Sequence, residues 1–204
     1  MKSSTLLTIL AGISIVAIFW YTANGNDDAE YKQRIENDRA EKDDFMRGGE
    51  ESPFKDSTAA FTGLKYFAPD LKFRITADLE PIEDRNMVVL QTSDGKEQRY
   101  IDYAWASFRI DGVSCKLKIL EVIDSGPFKG TLFLAFADQT SALETYGAGR
   151  YLDVKKTPGA TNITLDFNEA YNPYCAYNDN FSCPFPPKEN LLNVPIMAGE
   201  KNYH

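Results

Sequence analysis

From Leu71 the chain alternates with a period of two. Phe73, Ile75, Ala77 and Leu79 fall on one side, Arg74, Thr76 and Asp78 on the other. Successive side chains of a strand point to opposite faces, so this pattern marks a strand with one face covered. Two Asp-Gly pairs follow, at Asp94-Gly95 and Asp111-Gly112. Tight hairpin turns need positive φ, which these residues supply. The second is the clearer signal: Phe108-Arg109-Ile110 leads into it, and Val113, Cys115, Leu117 and Ile119 leave it along one face. The run TLFLAFAD (131–138) is nearly all apolar and reads as a strand buried on both faces. RYLDV (150–154) and NITLDFN (162–168) read as further strands joined through Thr157-Pro158-Gly159. NVPIM (193–197) reads as a short last one, with Pro195 placing it at an edge. Helical periodicity is almost absent between them. The expectation is a mainly β domain, an antiparallel barrel or sandwich of about eight strands.

Ahead of this domain stand two other segments. Lys2 precedes an uncharged, mainly apolar run from Leu6 to Tyr21, and polar and acidic residues follow at once. That is the form of an export signal. Ala23-Asn24-Gly25 offers the small residues a signal peptidase reads, whereas Trp20 and Tyr21 close the run as interface aromatics close a membrane anchor. Residues 1–25 are therefore a signal anchor, contacting the membrane through 6–21, or a removed signal peptide. Either places the rest of the chain outside the cytosol, in the cell envelope or secreted. Residues 26–51 read as a charged helical spacer. Tyr31, Ile35, Lys42, Phe45 and Met46 fall near one face, and Glu30–Arg34 and Asp38–Lys42 are acid-before-base pairs. Gly48-Gly49 ends the helix. It either stands in solvent or docks on the domain of residues 52–204 through Tyr31, Ile35 and Phe45.

Charge and chemistry narrow the function. Thirty acidic against 22 basic residues leave a net charge of −8. No basic stripe with interleaved aromatics offers nucleic acid a footing. One histidine, His204, rules out mechanisms that need a positioned imidazole, including nucleophile–histidine pairs and histidine-bound zinc. The three cysteines and this histidine make a poor zinc set, and no cofactor motif appears; the glycines of TYGAGRYL suit a bend or bulge better than a nucleotide loop. Cys175 and Cys183 are too far apart in sequence for a Cys-x-x-Cys redox pair. In an exported chain the default is a disulfide, worth about 2.5 kcal/mol for so small a ring. Cys115, on the apolar face of a strand, is expected to be an inert core thiol, or else to pair with one of the other two.

What remains is carboxylate chemistry or binding. Asp138, Glu144, Asp153, Asp166, Glu169 and Glu200 lie near turns of the C-terminal half, and two carboxyls facing a cleft perform acid–base work on sugars. Tyr146, Tyr151, Tyr171, Tyr174 and Tyr177, with Asn168, Asn172 and Asn178, form a polar-aromatic concentration suited to glycans and other polar ligands, or to packing a loop-rich end.

At these residues a resemblance enters. AFADQTSALETYGAGRYLDV, LDFNEAYNPYCAYNDNFSCPFPPKENLL and MAGEKNY together resemble a bacterial and archaeal family of unknown function, DUF1684. The Tyr31–Met46 helix with SPF and FTGLKYFAPD fit the same pattern, so the likeness runs from about residue 30 onward. It departs near Ala142, where the family pattern calls for glycine. The resemblance implies no activity. It implies that a site lies in the shared C-terminal half, at Asp138, Glu144, Tyr146, Arg150, Asp166, Asn168, Tyr171, Asn172, Tyr177 and Asn178. The expected function is binding of a polar small molecule or envelope component, with a carboxylate-dependent hydrolase and a purely structural envelope protein as alternatives.

Overall fold

The computed structural model describes residues 27–55, 61–124 and 127–204. The apolar run at 6–21 lies outside them; among the described residues no helix is long and apolar enough to cross a membrane.

Residues 27–48 form one helix, α1. Eight strands follow: β1 (Arg74–Pro81), β2 (Met87–Gln91), β3 (Glu97–Ile110), β4 (Val113–Val122), β5 (Leu132–Phe133), β6 (Ala135–Phe136), β7 (Arg150–Tyr151) and β8 (Asn162–Asp166). The central sheet runs β5-β4-β3-β1-β8, with β2 also on β3; β6 and β7 form a separate pair. Every pairing is antiparallel.

β3 is the spine. At 14 residues it is long enough to take β2 along Glu97–Ile101 and β1 along Ala104–Ser107 on the same edge, with β4 on the other. The expected two-residue hairpin joins β3 to β4: Asp111 (φ 47°) and Gly112 (φ 82°) both take the left-handed region such a turn demands. Asp94-Gly95 lies in a longer connection between β2 and β3, closed by a hydrogen bond from Thr92 N–H to Lys96 O at 2.9 Å. Between Asp102 and Ala104 the register slips by one residue. On β4 the buried positions then change from Cys115, Leu117 and Ile119 to Leu120. The bulge thus splits the apolar side chains of the sheet into two clusters, apart from a third around Met46, Phe54, Tyr177 and Tyr203. Leu90, Tyr100 and Leu120 form the smaller one. The main core joins Ala77, Ala106, Phe108, Leu117, Ile119, Ile163 and Leu165 of the sheet to Leu134, Phe136, Leu152, Phe167, Leu192, Val194 and Ile196.

Three expectations need correction. The sheet is open, not a closed barrel: β5 and β8 are its two ends and do not pair. An irregular layer of short 3-10 turns and extended chain covers it instead. The 131–138 run is not one strand, because Leu132–Phe133 pairs with β4 whereas Ala135–Phe136 crosses to pair with β7. It is continuously apolar because Leu134, Ala135 and Phe136 are enclosed where the chain changes layers. Residues 193–197 form no strand. Leu192, Val194, Ile196 and Ala198 alternate with exposed neighbours as a strand would. Much of their backbone bonding, however, goes to side chains: Ile196 N–H donates to Asp138 Oδ1 at 3.1 Å, and Arg150 Nη2 donates to Ile196 O at 3.0 Å.

The helix docks on the domain. Tyr31, Ile35, Arg39 and Met46 are buried at spacings of four, four and seven, one helical face. Phe45 is largely exposed. Arg34 and Lys42 turn inward: Arg34 reaches Asp166 at 3.3 Å and Glu169 at 2.7 Å, and Lys42 reaches Glu200 at 3.2 Å. Arg34 also holds Asp38 at 2.9 Å.

Candidate functional site

Seven of the ten residues singled out in the sequence fall in three places; Glu144, Tyr146 and Tyr171 lie outside them. The first is a buried ion pair. Arg150 and Asp138 lie 2.9 Å apart with side chains 1% and 0% exposed. Arg150 donates to the carbonyls of Ile196, Ala198 and Glu200, while Asp138 Oδ1 accepts from the Thr140 amide and hydroxyl and from Ile196. Burial pulls the guanidinium pKa down and the Asp138 charge opposes it; arginine stays charged throughout. Each carboxylate oxygen is occupied, so the pair braces the 192–200 segment and leaves no free base.

The second is a polar node around Glu200, whose side chain is wholly buried. It accepts from Asn172 Nδ2 at 2.8 Å, Asn172 N–H at 3.3 Å, Lys42 Nζ and the Tyr177 hydroxyl. Burial, then the Glu200 charge, pushes the Tyr177 phenol far above its usual range. Asn178 extends the node by donating to Pro53 O at 2.8 Å. The third ties α1 to the sheet end. Asp166 Oδ1 accepts from Tyr31 OH at 2.8 Å and from Asn168 at 3.2 Å, and Asn168 also clasps Asp70 through its backbone N–H and C=O. Glu144 stands exposed on a turn, and the Tyr146 hydroxyl lies 3.9 Å from Cys175 Sγ.

The open space is elsewhere. A groove of about 920 Å³ runs between α1 and the loop that follows β8. Arg34, Asp38, Lys42 and Phe45 form its helical wall, which at 1.5 Å per residue is about 16 Å long. Tyr171, Tyr174, Phe181 and Pro184 form the opposite wall, and Tyr151, Asp153 and Lys155 one end. Lys42 Nζ sits 4.5 Å from the centre of the Tyr171 ring, and Tyr174 meets Phe181 edge-on at 5.2 Å. Of the ten candidates only Asn168 and Tyr171 line this groove. Its carboxylates are already engaged: Asp38 and Glu169 by Arg34, Asp153 by the Tyr171 hydroxyl at 2.8 Å. Among the described residues, the Tyr174 hydroxyl has no hydrogen-bond partner and Lys155 no ion pair.

The helical wall was missed as a site because its residues carry a solvated-helix pattern. The usable signal was Phe45, an apolar residue beside Lys42 on a face that also holds Tyr31 and Ile35. Tyr174 and Phe181 stood in the quoted tyrosine-rich stretch but could not be ranked above Tyr177 without knowing which rings are enclosed.

The cysteine staple is not formed. Cys115, Cys175 and Cys183 are all free and buried. Cys175 and Cys183 are neighbours nonetheless: the Cys175 N–H donates to Cys183 Sγ at 3.3 Å. Cys115 lies in the sheet core, as its strand position implied.

Residues 59–201 match the family described as Protein of unknown function (DUF1684). The fold is similar to the solution NMR structure of an uncharacterized protein from gene locus rrnAC0354 of Haloarcula marismortui. That protein is 37% identical, with a TM-score of 0.64, over 86% of this chain and 96% of that one. No curated protein matches the chain. The family match begins beyond α1, so it covers the sheet, the Arg150–Asp138 pair, the Glu200 node and one wall of the groove, and on that match the chain belongs to the DUF1684 family.

Proposed function

We propose that this protein is a binding module that takes a short polar ligand into the groove between α1 and the Tyr171–Pro184 loop. The observation that carries the reading is a 920 Å³ groove walled by aromatic rings on one side and by ion-paired polar side chains on the other. Aromatic faces with hydroxyl and ammonium groups at their edges suit sugars, whose C–H faces pack on rings and whose hydroxyls need donors and acceptors. The Tyr174 hydroxyl and Lys155 ammonium, without a hydrogen-bond or ion-pair partner among the described residues, supply such groups. A carboxylate-dependent hydrolase is less well supported, because Asp38, Asp153 and Glu169 are each committed to a partner within the protein. Of the ten residues read from sequence, Asn168 and Tyr171 line the groove, and Asp138, Arg150, Asp166, Asn172, Tyr177 and Asn178 are tied into the frame around it.

The apolar run at 6–21 after Lys2 supports a location in the cell envelope, with the domain outside the cytosol and the ligand an envelope component. Titrating the domain with envelope oligosaccharides and short peptides, followed by amide chemical shifts, tests the reading. Shifts should cluster at Lys42, Lys155, Tyr171, Tyr174 and Phe181, and Tyr174→Ala with Phe181→Ala should weaken binding at least tenfold. Shifts confined to other surfaces, or none at millimolar ligand, would overturn it.

A further inference from the structure

The groove reading leaves Cys175 and Cys183 unused. Cys175 sits on the 3-10 turn Tyr174–Ala176. Cys183 is fixed from the other side: Ser93 N–H donates to Cys183 O at 2.9 Å, and Cys183 N–H donates to Ser93 Oγ at 3.1 Å. Two separately anchored backbones therefore hold the sulfurs together. Cys183 also lines the groove, so a small reagent has a path to the pair. Cys115 shares neither feature, being packed among Phe108, Leu117 and other core residues.

We propose that Cys175 and Cys183 form a reversible dithiol–disulfide couple that exchanges with low-molecular-weight disulfides entering through the groove. Either sulfur can react first; Cys183 is the one that lines the groove, and the Tyr146 hydroxyl lies 3.9 Å from Cys175 Sγ. The first thiolate displaces RS⁻ from RSSR and forms a mixed disulfide. The second thiol then loses its proton, attacks the protein sulfur of that mixed disulfide and displaces the second RS⁻. The two protons from the protein end on the two RS⁻. One RSSR is reduced to two RSH, and two cysteine thiols are oxidised to one disulfide. The bridge would tether the loop that carries Tyr177 and Asn178, which hold Glu200 and Pro53, and Tyr174 and Phe181, which wall the groove. The couple does not depend on what the groove binds.

The test equilibrates the full chain in glutathione buffers from fully reduced to fully oxidised, blocks free thiols by alkylation, and maps the peptides by mass. The expected result is loss of alkylation at both Cys175 and Cys183 with a Cys175–Cys183 linked peptide, reversed by dithiothreitol, while Cys115 enters no linked peptide. Cys183→Ser should accumulate glutathione on Cys175, and Cys175→Ser on Cys183. A wild-type pair that stays alkylable across the whole range, a link to Cys115, or glutathione adducts with no Cys175–Cys183 linked peptide would overturn the proposal.

Discussion

Lys42 Nζ lies 3.2 Å from Glu200 Oε2, joining the N-terminal helix to the last ordered turn across 158 residues of chain. The two ends of this contact are unequal. Glu200 is fully buried and holds Asn172 and Tyr177 as well, whereas the Lys42 side chain is 27% exposed. Removing Glu200 strands two buried donors and an ammonium; removing Lys42 leaves the carboxylate with its other partners. Glu200→Ala should cost about 3 to 5 kcal/mol and Lys42→Met about 1 to 2 kcal/mol. Urea midpoints measure both, and equal losses would contradict this account of the node.

Arg150 and Asp138 act where a neighbouring strand would act. Arg150→Met should destabilise by about 3 to 5 kcal/mol, since it leaves a buried carboxylate and three carbonyls unpaired. Asp138→Asn keeps an acceptor and should cost less. The specific sign is local: the Ile196 amide, which donates to Asp138, should lose hydrogen-exchange protection in Asp138→Ala beyond what the global loss of stability explains.

Ala142 has φ 63°, a left-handed conformation that a side chain makes costly. Ala142→Gly relieves about 1 to 2 kcal/mol of strain and costs about 0.5 to 1 in backbone entropy, for a net gain of up to about 1.5 kcal/mol. Gly149→Ala should do the opposite. Its Cβ would lie 2.5 Å from Phe136 O and 2.7 Å from Pro186 Cγ, at φ 89°, and the loss should be about 2 kcal/mol or more. Thermal midpoints moving in the same direction for both would refute the assignment.

Tyr31, Tyr66, Tyr100, Tyr151, Tyr171 and Tyr177 all have phenol pKa values raised first of all by burial. For a phenol raised in the folded state, stability is fully present below the unfolded pKa, about 10, and drains away as pH climbs toward the folded value. These six should therefore ionise only as the chain unfolds. Beyond the contribution of the other five of the eleven tyrosines, absorbance at the phenolate band should show a cooperative step that coincides with loss of β-sheet ellipticity.

The sheet was legible because its signals are local. The period of two at Phe73–Leu79 and the Asp111-Gly112 turn need only neighbouring residues to be read. The second layer was not, because 131–138 changes sheets midway and 193–197 takes its hydrogen bonds from Asp138 and Arg150, neither of which leaves a trace in periodicity. Of the polar-aromatic concentration, Tyr151, Asn168, Tyr171 and Tyr174 line the groove, whereas Asn172 and Tyr177 turn to Glu200. Asn172 and Tyr177 look the same in sequence whether they face a ligand or Glu200. The groove needed α1, and nothing local to Arg34 or Lys42 says that each reaches a carboxylate more than a hundred residues away.

The long reach of α1 has a consequence for synthesis. Its principal holds, at Asp166, Asn168 and Glu200, are made after nearly everything else. At about 5 to 20 residues per second, Lys42 waits roughly 8 to 30 s for its carboxylate to be translated. During that interval the helix has no seat, and the face bearing Tyr31, Ile35 and Met46 is open to chaperones. The seating of α1 thus waits on chain made more than a hundred residues later, and an early-made element is among the last to settle.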